Sequence, residues 1–104
     1  MFRDMQTAAY NLFVGRTMSP EIETLDQLLT GDMPLSIIRR LFKDDQSFTV
    51  AITRMVESGD VELLDDDGEP LPVWRCRQIM ATTDLLGILH RRIAITPSGA
   101  RKIG

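Results

Sequence analysis

The chain has 104 residues, of which 43% are hydrophobic and 26% charged, and a net charge of −3; these proportions fit one folded domain and exclude a disordered or collagen-like polypeptide. No apolar run approaches the roughly 20 residues that span a bilayer, so no membrane contact is expected and the location is expected to be cytoplasmic. A single cysteine, Cys76, and a single histidine, His90, exclude an internal disulfide and an ordinary structural zinc site, and no metal or other cofactor is expected.

Residues 4–14 place Met5, Ala8, Ala9, Leu12 and Phe13 on one side of a leading helix that Gly15 ends. Phe2, Met5, Leu12 and Phe13 make this segment the expected contact of a homodimer. Ser19-Pro20-Glu21 then opens a second helix, with a capping serine, a proline suited to the first helical position and a carboxylate that favours the dipole. Ile22, Leu25, Leu28 and Leu29 form its apolar stripe, and Gly31 is expected to stop it. A third helix is expected to begin at Met33-Pro34, with Leu35, Ile38, Leu41 and Phe42 facing inward and Ser36, Arg39, Arg40 and Lys43 facing out.

Asp44-Asp45 makes a tight connection, and either aspartate or Ser47 can cap the helix that follows over residues 46–58. Phe48, Ile52, Met55 and Val56 fall at helical spacing, Gly59 stops the helix, and Val61, Leu63 and Leu64 begin a strand. Two short helices joined by a few polar residues have the local form of a helix-turn-helix. The strand runs into Asp65-Asp66-Asp67-Gly68-Glu69, read as a polar turn closed at Gly68, because it lacks the alternating oxygen ligands of a calcium loop.

Pro70 and Pro72 keep the next stretch irregular. Residues 73–79 are expected to form a strand, since apolar Trp74 and Cys76 alternate with Arg75 and Arg77. Cys76 is expected to be a small buried hydrophobe, and Trp74, like Tyr10, a core or interface anchor. Thr82-Thr83-Asp84 reads as a turn or cap, and residues 85–89 are left open between helix and strand, since Gly87 weakens a helix and the run is short. A strand over residues 92–96 and a helix opened by Thr96-Pro97 and running through Ile103 complete an α+β domain of three or four helices and a small antiparallel sheet.

The net charge hides an asymmetry: residues 57–69 hold seven acids and no base, whereas residues 70–104 hold six bases and one acid. The basic set Arg75, Arg77, His90, Arg91 and Arg92 can pair with the acids of 57–69 inside the fold or grip a polyanion. No catalytic constellation is present, so an enzyme is not expected.

The run Ile52-Thr53-Arg54-Met55-Val56-Glu57-Ser58-Gly59-Asp60-Val61-Glu62-Leu63 resembles the recognition helix and first wing strand of winged-helix transcriptional regulators. Arg92-Ile93-Ala94-Ile95-Thr96-Pro97-Ser98-Gly99-Ala100-Arg101-Lys102 is similar to the second wing strand and the following helix of regulators of the MarR and PadR kind. The resemblance covers residues 20–64 and 92–103. It implies a winged helix-turn-helix, with residues 1–15 leading, 19–64 holding the helix-turn-helix and first wing strand, and 65–104 an extended wing and final helix. The wing is long because 27 residues, 65–91, separate its strands.

The resemblance further implies a DNA-binding transcriptional regulator with double-stranded DNA as partner. In a major groove, the helix would present Gln46, Thr49, Val50, Thr53 and, at its edge, Arg54 to the bases. Arg39, Arg40 and Lys43 would hold the backbone, and Arg91 and Arg92, beside His90, would grip phosphates. The alternative for the helix is a plain solvated polar face. The alternative for the whole chain is a protein-interaction module that docks a basic partner through its acidic hairpin, because five acids near a polyanion oppose binding.

Overall fold

The computed structural model describes residues 19–103; the leading helix and the dimer-forming residues expected before Ser19, with Tyr10, lie outside them. Helix α1 (Pro20–Leu28) starts where Ser19 Oγ accepts the Ile22 amide at 3.2 Å and Pro20 occupies the first turn. Leu25 and Leu28 enter the core beside a fully buried Thr24, whose hydroxyl donates to the Pro20 carbonyl at 2.7 Å and so buries no orphan donor. Gly31, at φ 137°, turns the chain into strand β1 (Met33–Pro34).

Helix α2 (Leu35–Arg39) and helix α3 (Asp45–Glu57) follow, then strand β2 (Val61–Leu64), helix α4 (Val73–Thr82), helix α5 (Leu85–Leu89), strand β3 (Arg92–Ile95) and helix α6 (Pro97–Ile103). The described residues therefore form an α+β unit of six helices and one antiparallel sheet in the order β1-β3-β2. Central β3 sets Ile93 opposite both Met33 and Leu63, and Val61 opposite Ile95. Helices supply the rest of one continuous core: Leu35 and Ile38 from α2, Phe48, Ile52, Met55 and Val56 from α3, Cys76, Ile79 and Met80 from α4, and Ile88 from α5. Phe42 meets Phe48 edge-on with ring centroids 5.7 Å apart, which closes the corner between α2 and α3. Burial of each large side chain contributes about 1.5–3 kcal/mol.

Two expectations are corrected, and one open reading is decided. Met33-Pro34 opens no helix but pairs with β3, and α2 starts one residue later. The residue before a proline is driven to extended conformations, and a proline without an N–H is tolerated on this edge strand. The strand expected over 73–79 is helix α4. Its buried residues are Cys76, Ile79 and Met80, at the helical interval, while Trp74 of the apparent alternation is 64% exposed and so is no core anchor. The run left open at 85–89 is helical, nucleated by Asp84, whose Oδ1 accepts the Gly87 amide at 2.9 Å. Residues 65–91 thus hold a tight turn and two helices, which takes the helix number past the three or four expected.

One junction ties these elements together. At the end of α3, the Gly59 amide bonds to the Val56 carbonyl at 3.1 Å and the Asp60 amide to the Met55 carbonyl at 3.0 Å, with Gly59 at φ 83°; this is the glycine-dependent helix stop that only a left-handed residue permits. Across from it, Thr96 Oγ1 donates to the Gly59 carbonyl at 2.5 Å and accepts the Gly99 amide at 3.0 Å, while the Thr96 amide donates to the Asp60 carbonyl at 3.0 Å. Asp60 is buried; its Oδ2 accepts Ser58 Oγ at 2.9 Å and Lys102 Nζ at 2.7 Å, and its Oδ1 has no partner among the described residues.

Gly99 lies against this turn so closely that a Cβ there would strike the Asp60 carbonyl. Gly99→Ala is therefore expected to destabilise the protein by roughly 2 kcal/mol through overpacking against backbone that cannot yield. Denaturant midpoints measure it, and a variant as stable as the parent would contradict the close approach.

Candidate functional site

The short connection from α2 to α3 is held from both sides. Asp44, extended at φ −153°, caps α3 by accepting the Ser47 amide at 2.7 Å. Arg39 donates from Nε to Asp45 Oδ1 at 2.8 Å and from Nη1 to the Phe42 carbonyl at 2.8 Å. One guanidinium thus spans the middle of the turn and the first residue of α3. A side chain expected to hold a nucleic-acid backbone is instead engaged within the fold.

Helix α3 buries Phe48, Ala51, Ile52, Met55 and Val56. The opposite side is set by the same period: Gln46, Val50 and Arg54, each four residues apart, are exposed, with Thr49 and Thr53 half-buried along one edge. The five α3 residues singled out in the sequence therefore share one outward strip. Along it, a shallow groove of about 320 Å3 is lined by Thr49, Val50, Thr53, Arg54 and Glu57. Around the first turns, a second groove of about 300 Å3 takes Gln46, Thr49 and Val50 from α3 and Met80, Thr83, Leu85 and Ile88 from α4 and α5.

Helix α4 packs against α3, which the sequence had not indicated. The signal that could have found it is the i, i+3, i+4 spacing of Cys76, Ile79 and Met80. Arg77 Nε donates to Glu57 Oε2 at 2.7 Å, so one member of the later basic set does pair with the acids of 57–69. Arg92 pairs elsewhere, donating from Nη2 to Asp32 Oδ1 at 2.7 Å and to the Asp32 carbonyl at 3.0 Å, and so pins the loop before β1 to β3.

Of the remaining bases, Arg40 and Lys43 are exposed at the α2–α3 turn, and these, Arg54 and Arg91 form no ion pair with another described residue. Arg91, half-buried, lines a cleft of about 360 Å3 together with Leu64, Asp65, Asp66, Gly87, His90 and Arg92. The acidic turn thus stands against the basic corner between α5 and β3, and neither groove on the α3 strip includes a residue of 65–69. Within the turn, Asp65 Oδ1 accepts the Asp67 and Glu69 amides at 2.8 and 2.9 Å, and Gly68 takes φ 82°.

The arrangement offers hydrogen-bonding and methyl groups beside an arginine on the outward side of one helix. Among the described residues, no group of three or more His, Cys, Asp and Glu side chains is placed to hold a metal ion, and no helix is long and apolar enough to cross a membrane. Comparison with protein-family models, with curated proteins and with solved structures finds no match to this chain.

The cap on α3 carries a pH signature. The Ser47 amide holds the Asp44 carboxylate below its ordinary pKa, aided by the Ser47 hydroxyl and by the charges of Lys43 and Arg39. A depressed folded pKa means that the contribution is full above the ordinary carboxylate range and is lost as pH falls through the folded value. Asp44→Asn keeps an accepting oxygen at the cap but does not titrate. Thermal melts at neutral and acidic pH are expected to show a smaller acid-induced loss for Asp44→Asn than for the parent; equal losses would exclude the linkage.

Proposed function

We propose that this chain is a winged helix-turn-helix domain that binds double-stranded DNA and acts as a transcriptional regulator. The observation that carries the reading is the order α1-β1-α2-α3-β2-β3 in which the sheet runs β1-β3-β2 and α3 is left with an outward strip of Gln46, Val50 and Arg54. That order, with α4 and α5 inserted between the last two strands, is the one in which a short sheet backs a helix free to enter a major groove. The expected resemblance to regulators of the MarR and PadR kind is part of the same proposal.

In this role Gln46 suits the paired donor and acceptor of adenine, Arg54 the acceptors of guanine or a phosphate, and the Thr49 and Thr53 methyls and hydroxyls the edges between. Arg40 and Lys43, exposed at the start of α3, and Arg91 at the basic corner supply phosphate contacts. Arg39 and Arg92 act chiefly by holding the turn and β1 in place. A cytoplasmic location goes with such a partner. Two copies binding one site also belong to the proposal, since a single domain covers few base pairs; residues 1–15, where the sequence places their contact, lie outside the described residues.

A second reading is supported by the exposure of Asp66, Asp67 and Glu69 at the hairpin tip: a protein-interaction module in which these carboxylates dock a basic partner. The two separate in a titration of labelled duplex at two salt concentrations. DNA binding predicts an affinity that falls with salt, a loss on Arg54→Ala of roughly five- to fiftyfold if it reads a base, and a gain on Asp66→Ala as repulsion is removed. Absence of binding at low salt would leave the second reading.

A further inference from the structure

Helix α3 carries two acids and one base, Asp45, Glu57 and Arg54, so on its sequence alone it would present a net negative charge to any polyanion. The fold alters that balance. Arg39 of α2 engages Asp45 at 2.8 Å, and Arg77 of α4 engages Glu57 at 2.7 Å. Each acid of the helix is held by an arginine from the helix packed on either side, and Arg54 remains as the charge on the outward strip without an ion-pair partner among the described residues.

The second pair is the more informative. Arg39 also bonds to the Phe42 carbonyl and so has a structural task. The Arg77–Glu57 pair joins two residues 20 apart in sequence, both substantially exposed, the side chains being 54% and 44% accessible. Exposed pairs of this kind add little to stability. What the pair does change is the field on the strip, because Glu57 lines the same groove as Thr53 and Arg54. An unpaired carboxylate there would face the phosphates that Arg54 approaches.

We propose that α4 is a working part of the DNA-facing surface, and that Arg77 is a positioning residue whose task is to neutralise Glu57 so that α3 meets DNA with a net positive strip. The inference rests on the DNA-binding reading above. It also gives a task to a helix standing where a simple wing would have a loop: α4 brings a base to Glu57 at the C-terminal end of α3. Trp74, one helical turn before Arg77, lies on the same side of α4 and is the only tryptophan of the chain. Its emission therefore reports the state of this surface.

The test is a charge-rescue set, Arg77→Ala, Glu57→Gln and the double variant, in the full chain, titrated with a labelled mixed-sequence duplex at low and moderate salt. Unmasking one negative charge beside phosphate is expected to weaken Arg77→Ala by about five- to tenfold at low salt, a deficit that shrinks at moderate salt as the repulsion is screened. Glu57→Gln is expected to bind several-fold more tightly than the parent, and the double variant to return to within about twofold of it. An unchanged far-ultraviolet circular dichroism spectrum and melting temperature in the free variants establish that the fold is retained.

If the double variant stays as weak as Arg77→Ala, Arg77 touches DNA itself and the masking role is overturned; equal binding of Arg77→Ala and parent overturns it too. Failure of the parent to bind at low salt removes the DNA reading and this inference with it. Variants that lose the native circular dichroism spectrum or melt early are replaced by Arg77→Gln and Arg77→Lys; masking predicts weak binding for the first and parental binding for the second, and the reverse overturns it.

Discussion

The meeting of the α3–β2 turn with the β3–α6 corner is the constraint on which the other elements depend. Gly59 ends α3 in a conformation that side-chain-bearing residues rarely adopt, and its carbonyl and that of Asp60 are taken by Thr96. The same threonine hydroxyl caps α6 through the Gly99 amide. One side chain therefore terminates one helix, starts another and holds the two long strands in register. The buried Asp60 adds a bond to Lys102 at the far end of α6, so that helix is fixed at both ends. Because β3 is central in the sheet, this fixes β1, and through β1 the entry into α2 and α3.

A helix so fixed presents an invariant face, and the charges around it are arranged on that premise. Arginines from α2 and α4 hold the two acids of α3, while Arg92 is spent on the loop before β1. The strongly acidic turn does not border the outward strip; Asp65 and Asp66 share a cleft with His90, Arg91 and Arg92. Opposite charges that look in the sequence like two competing blocks are thus partly offset across the fold, at Arg77–Glu57 and Lys102–Asp60. What is left facing outward from α3 is polar, with one arginine, and an apolar margin at Val50 where α4 and α5 come close.

Much of this was legible because the signals are local. Ser19-Pro20, Asp44, Gly59 and Thr96-Pro97 act within a turn of their own positions, through amides that any helix end leaves free, and each works as its residue type requires. The outward strip of α3 followed from the helical period as soon as Phe48, Ile52 and Met55 were placed inside. The misreadings arose where two local patterns compete. Over 73–79, an alternation of apolar and basic residues coexists with a helical trio, and the outcome turns on whether Trp74 or Ile79 is buried. At Met33-Pro34, a helix-opening proline and an extended-chain proline look alike until a partner strand is present.

Sequence by itself determined the ends of α1, α3 and α6, the apolar stripe of α3, the residues of its outward strip and the α+β class, because these depend on backbone amides and on periodicities that operate over a few residues. Tertiary structure decided which strands pair, that α4 lies against α3, and which charges remain unpaired. Those outcomes depend on groups such as Arg77 and Glu57, or Arg92 and Asp32, that are 20 and 60 residues apart. Their interaction energies exist only once burial of the shared core has brought them within reach of each other.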